Sequence, residues 1–129
     1  MPTNIPIMKI GRNLIVPVQG EFHDELIQEL QSEILSRIET VGAQGLILDI
    51  SAMEFIDSFL ARVLSDIASM ANLMGAHTVV VGMSPVVAMV LMELGLDFGR
   101  LVTARDLERG LRVLTELVAA GEVDLVDAS

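Results

Sequence analysis

The stretch MEFIDSFLARVL, Met53 to Leu64, sets an acid, Asp57, directly before a serine, Ser58, where an apolar run begins. A serine in that place has three possible uses: it can attack as a nucleophile, accept a phosphate, or cap the helix that the run predicts. Attack needs a base, and the chain has two histidines, His23 and His77. His23 falls at an expected helix start and His77 opens an expected strand, which are ordinary places for boundary residues. The residues around Ser58 also lack the glycines of the sharp turn that exposes a hydrolase serine. Capping asks for less. Asp57 and Ser58 are both of the favoured N-cap types, and such a cap contributes about 1 kcal/mol. Capping and phosphate acceptance are compatible, because a helix N-terminus offers unpaired N–H groups and a positive dipole end. A phosphate on Ser58 would add about −1.5 to −2 charges, beside Asp57 and Glu54. A basic partner surface would then be drawn in, and an acidic or apolar one repelled.

Other chemistries fail on residue types. There is no cysteine, which removes disulfides, thiolate catalysis and Cys-ligated metals. No phosphate-binding GxxxxGK[ST] or GxGxxG loop is present, and the single lysine, Lys9, sits in an expected strand. Two histidines without closely spaced carboxylates make a poor metal site, so we expect neither metal nor cofactor. Asp49 ends an expected central strand, as the accepting aspartate of a receiver domain does. The companion acids and the late lysine of such a site are missing, so loop amides that satisfy a strand-end carboxylate explain it better. No enzymatic activity is expected.

The elements that must position Ser58 can be read from the apolar pattern. Ile5–Ile10 and Leu14–Val18 predict two strands joined by a tight turn. Leu26, Ile27, Leu30, Ile34, Ile38 and Val41 recur at helical spacing before Gly42. Gly45–Ile50 is a short apolar run suited to a strand buried on both faces. Leu60, Val63, Leu64, Ile67, Ala71 and Met74 give the helix after Ser58, which Gly75 ends. His77–Gly82 predicts a second central strand. Ser84 as N-cap, Pro85 at the first position and Gly95 after the end bracket a third helix. Its segment from Val86 to Met92 is apolar nearly all round, so it is either deeply buried or meets a partner. Leu101–Thr103 gives a short last strand and Asp106–Ala119 a last amphipathic helix. Strands that alternate with helices imply parallel pairing, with the opening hairpin antiparallel. The expectation is an α/β fold: a mixed, mostly parallel sheet of four to five strands with about four helices. We expect one domain over 1–129, with its core at about 5–118 and a frayed acidic tail at 119–129.

Composition agrees with a packed fold. The chain has 129 residues, 52% of them hydrophobic, with four Phe and neither Trp nor Tyr, so aliphatic side chains must build the core. Its formal net charge of −10 disfavours binding to nucleic acid and to anionic membranes. Ile67 to Met92 contains no Asp, Glu, Lys or Arg, but Asn72, Gly75, His77, Gly82 and Ser84-Pro85 break it. Its flanks, Asp66 and Glu93, are acidic rather than cationic, which argues against a membrane span. With no signal-peptide pattern and no cysteine, a cytoplasmic location is expected.

The order of elements, with LILDISAMEFIDSFLARVL and LMGAHTVVVGMSPVVAMVLMELGL, resembles the STAS family of bacterial anti-anti-sigma factors. In that family a strand, an acid-serine pair and a helix hold the phosphorylated residue. The resemblance implies Ser58 as phosphate acceptor, with Asp57, Phe59, Leu60 and Arg62 forming its surroundings and the kinase contact. Many members carry a second hydroxyl and glycines (DSSGLG) where this chain has Phe59, Leu60 and Ala61. That departure, with the ARVL and LMGA segments, is most similar to the short RsbS-type proteins of the stressosome. The same resemblance implies a non-enzymatic scaffold that joins RsbR-like STAS paralogues in a large complex and sequesters an RsbT-like serine kinase. The kinase would phosphorylate Ser58 and leave, setting off a bacterial stress-signalling pathway. The alternative within the family is an anti-anti-sigma factor that binds an anti-sigma kinase directly. A third class, a small-ligand or nucleotide-binding STAS-like domain, rests on fold analogy alone.

Overall fold

The computed structural model describes residues 6–18, 24–95 and 101–128. Nine elements follow one another: β1 (Met8–Ile10), β2 (Asn13–Pro17), α1 (Asp24–Val41), β3 (Gly45–Asp49), α2 (Ser58–Leu73), β4 (His77–Val81), α3 (Pro85–Leu94), β5 (Val102–Ala104) and α4 (Leu107–Ala128). The expected first-strand residue Ile5 and the helix-start residue His23 lie outside the described residues. The strands form one sheet in sequential order, β1-β2-β3-β4-β5. β1 pairs antiparallel with β2, and every later pair is parallel. The expected α/β architecture is therefore the observed one.

Period-two alternation in the strands sorts the core into two layers. Leu14, Val16, Leu46, Leu48 and Val80 face one way and pack with α1, α2 and the inner side of α3. Ile15, Ile47, Val79 and Val81 face the other way and meet Leu114 of α4. Helices α1, α2 and α3 thus share one face of the sheet, as same-handed crossovers between sequential parallel strands require, and α4, which follows the last strand, covers the opposite one. β3 is sandwiched between the layers, with Leu46, Ile47 and Leu48 fully buried. Its C-terminal end therefore makes a rigid platform for the loop that leads to Ser58.

Of the two expectations for α3, deep burial does not hold, and α4 extends beyond its expected end. α3 is not deeply buried: only Val87 and Leu91 are buried, while Val86, Met89 and Met92 face solvent. α4 runs on to Ala128 instead of ending at Ala119. The segment contains no proline, and a single Gly121 costs only about 1 kcal/mol, too little to stop a long helix.

Asp106 precedes α4 and accepts the backbone N–H of Arg109 at 2.9 Å on Oδ1, and its guanidinium at 2.6 Å on Oδ2. That backbone hydrogen bond, against the opposing effect of desolvation and with further help from the Arg109 guanidinium and the Arg105 charge, holds the Asp106 carboxyl below its ordinary value. A lowered folded-state pKa stabilises the fold above the unfolded value, and this contribution fades as pH falls through the folded one. Chemical denaturation across acid pH should show Asp106→Asn losing part of the wild-type stability loss on acidification.

Candidate phosphorylation site

Ser58 lies beyond the C-terminal end of β3, on a loop fixed from several sides. Asp49 Oδ1 accepts the backbone N–H of Ser51 at 2.9 Å, so a loop amide does engage this strand-end carboxylate. Ile50 N–H donates to Val81 O at 3.0 Å and Met53 N–H to Ile50 O at 3.0 Å, which ties the loop to β4 and folds it back. Met53 and Ile56 then bury their side chains in the core. Two inward anchors three residues apart turn Glu54, Phe55, Asp57 and Ser58 outward. Phe55 is 72% exposed, an unusual place for an aromatic ring.

A backbone contact with the neighbouring loop completes the frame. Gly82 follows β4 with φ of +80°, and a Cβ there would lie 2.6 Å from Ser51 Cβ and 2.8 Å from Ser51 Cα. Only glycine suits both the left-handed backbone and the close approach. The start of the Ser58 loop is thereby seated on the β4–α3 connection.

The structure separates the two capping candidates. Asp57 is the N-cap, with extended φ/ψ of −100° and 174°, and its Oδ1 accepts the N–H of Leu60 at 2.7 Å. Ser58 is the first helical residue, exposed, and not itself the cap. The N–H groups of Ser58 and Phe59 have no acceptor within the helix, as first-turn geometry dictates. Arg62, also exposed, follows Ser58 by four residues and so shares its face of α2. Phe59 and Leu60 are half-buried against the core and offer only their outer edges. Of the expected site residues, Asp57, Ser58 and Arg62 thus come together on the open surface. Phe55 was not singled out in the sequence; the Met53–Ile56 spacing that turns it outward is the signal that could have found it. Denaturant melts should show Asp57→Ala less stable by about 1 kcal/mol through loss of the cap.

Among the described residues, no histidine stands near Ser58 to serve as a base. His77 opens β4 at the N-terminal end of the parallel strands, whereas Ser58 lies past their C-terminal ends. Among the described residues, no three of His, Cys, Asp and Glu group closely enough to hold a metal ion. No helix among them is long and apolar enough to cross a membrane.

A model of the STAS domain matches residues 4–106, from ahead of the sheet through β5. The chain belongs to the STAS family. Among solved structures it is similar to Moorella thermoacetica RsbS S58E, at 37% identity and a TM-score of 0.82, covering 90% of this chain and 98% of that one. It is similar as well to a chain from the molecular architecture of the stressosome, a signal integration and transduction hub. There the identity is 39% and the TM-score 0.79, with 87% of this STAS chain and 97% of that chain covered. A curated relative, the RsbT co-antagonist protein RsbRD of Bacillus subtilis (strain 168), is 28% identical over 107 residues. That match takes in 82% of this chain and 38% of RsbRD, so this STAS chain spans well under half of that relative's length. Similarity thus joins this STAS domain to an RsbS protein, to a chain of the stressosome and to an RsbT co-antagonist protein.

Proposed function

We propose that this chain is a non-enzymatic stressosome scaffold that holds an RsbT-like serine/threonine kinase and releases it once Ser58 is phosphorylated. The observation that carries this reading is the placing of Ser58: exposed, at the first position of α2, on a loop braced by Asp49, Ser51 and Gly82. A kinase can reach such a hydroxyl without unfolding its surroundings. Phe55 and the edges of Phe59 and Leu60 provide apolar contact beside it, while Asp57 and Arg62 frame it with charge. Phosphate on Ser58 would be held by the free first-turn N–H groups and by Arg62, and would bring about −1.5 to −2 charges into the contact. Burying that charge against the kinase is costly, so the complex loosens.

The similarity to RsbS, to the stressosome and to an RsbT co-antagonist supports the choice of partners. The STAS partners in the assembly would be RsbR-like paralogues, and the chain would act in the cytoplasm as one domain over residues 1–129. Incubation with the cognate kinase and ATP, followed by mass-spectrometric mapping, tests the site. Phosphate should appear on Ser58 and vanish in Ser58→Ala; labelling of that variant at the wild-type level sinks the assignment. Co-purification tests the assembly. A large particle containing sensor-bearing STAS paralogues is expected, and a small binary complex with an anti-sigma kinase would contradict it.

A further inference from the structure

Helix α3 carries a feature that Ser58 does not explain. Its outward face presents Met89 and Met92, which are 64% and 82% exposed. Three residues apart, the two thioethers lie one turn from each other on the side opposite Val87 and Leu91. The other methionines among the described residues are better shielded. Met53 is 5% exposed beneath the Ser58 loop, and the Met70 sulfur receives the Gln31 side-chain N–H at 3.7 Å. Met8 and Met74 are less open, at 47% and 41%, and stand on separate elements. The chain has no Cys, Trp or Tyr, so thioethers are its main oxidisable groups.

We infer that Met89 and Met92 form a hydroperoxide-reactive modification site on α3. Each sulfur attacks the terminal oxygen of a hydroperoxide. The O–O bond breaks as the S–O bond forms, sulfur is oxidised by two electrons, and the departing oxygen takes the proton to leave as water or an alcohol. The products are two methionine sulfoxides, polar where the thioethers were apolar. α3 packs Val87 and Leu91 into the core, with Val90 and Leu94 partly buried beside them, and neither methionine is among these contacts, so the change falls on the surface. Oxidation at Met53, in contrast, would place a sulfoxide inside the core.

The site does not depend on the role of Ser58 and can be tested without a kinase. Full-length wild type and the double variant Met89→Leu, Met92→Leu are treated with hydrogen peroxide, sampled over time and mapped by peptide mass spectrometry. Thermal melts and fluorescence of the hydrophobic dye bis-ANS are recorded on the same samples. Sulfoxide should build up at Met89 and Met92 about tenfold faster than at Met53, following their exposure. The melting temperature should hold while dye fluorescence falls, and the leucine variant should keep its dye signal. Rates at the two positions equal to that of Met53, unfolding in step with oxidation, or equal dye loss in the leucine variant would each overturn the assignment.

Discussion

Ser58→Ala should bind the kinase as tightly as wild type and fail to release it when ATP is added. The hydroxyl is exposed and is not the helix cap, since Asp57 accepts the Leu60 N–H. Its removal therefore leaves α2 and the loop in place, and alanine is a good residue for a first helical turn. What disappears is the acceptor. In a pull-down with kinase and ATP, wild type should lose most of its kinase with time, while the alanine variant holds it at the starting level. Ser58→Glu should fall between the two. One carboxylate carries less charge than a phosphate and fewer acceptor oxygens, so a partial loss of affinity is expected. Equal release from wild type and Ser58→Ala would mean that the switch resides elsewhere.

Gly82→Ala should be the most disruptive single methyl addition near the site. A Cβ there meets Ser51 Cβ at 2.6 Å and Ser51 N at 2.9 Å, and φ of +80° is unfavourable for any L side chain. The backbone penalty is about 1–2 kcal/mol. Crowding adds about 1–3 kcal/mol, because the obstacle is backbone and cannot rotate away. A loss of about 2–4 kcal/mol is expected, a large share of the stability of a small domain. Gly75→Ala is the control. Its φ is +90°, yet nothing lies within 4 Å of the added Cβ, so it should show the backbone penalty alone. The Gly82 variant should also accept phosphate more slowly, since the Ser58 loop must shift to make room. Stability and phosphorylation rates equal to those of the Gly75 variant would show that the contact with Ser51 does not brace the loop.

The sheet and its helices were legible because aliphatic residues recur with clear periods. Leu46, Ile47 and Leu48 read as a strand buried on both faces, and both layers of the core meet there. Ser84, Pro85 and Gly95 bracketed α3 correctly, since capping is local chemistry written in adjacent residues. How far α3 is buried was not legible. A helix apolar all round has no polar face to mark its outside, and only the sheet beneath it selects Val87 and Leu91. The choice between Asp57 and Ser58 as cap was open for a related reason. Both are good capping residues, and the anchors Met53 and Ile56 decide which of them reaches the Leu60 N–H. The contact between Gly82 and Ser51 joins residues far apart in sequence, so no local pattern announces it.

The most direct test of the phospho-switch is a calorimetric titration of the kinase into two preparations of the full chain. One is unmodified and the other is fully phosphorylated on Ser58, as verified by mass spectrometry. The unmodified chain should bind, and phosphorylation should weaken that binding by about tenfold or more, which corresponds to at least about 1.4 kcal/mol. Equal affinity of the two preparations, or tighter binding by the phosphorylated one, would contradict it.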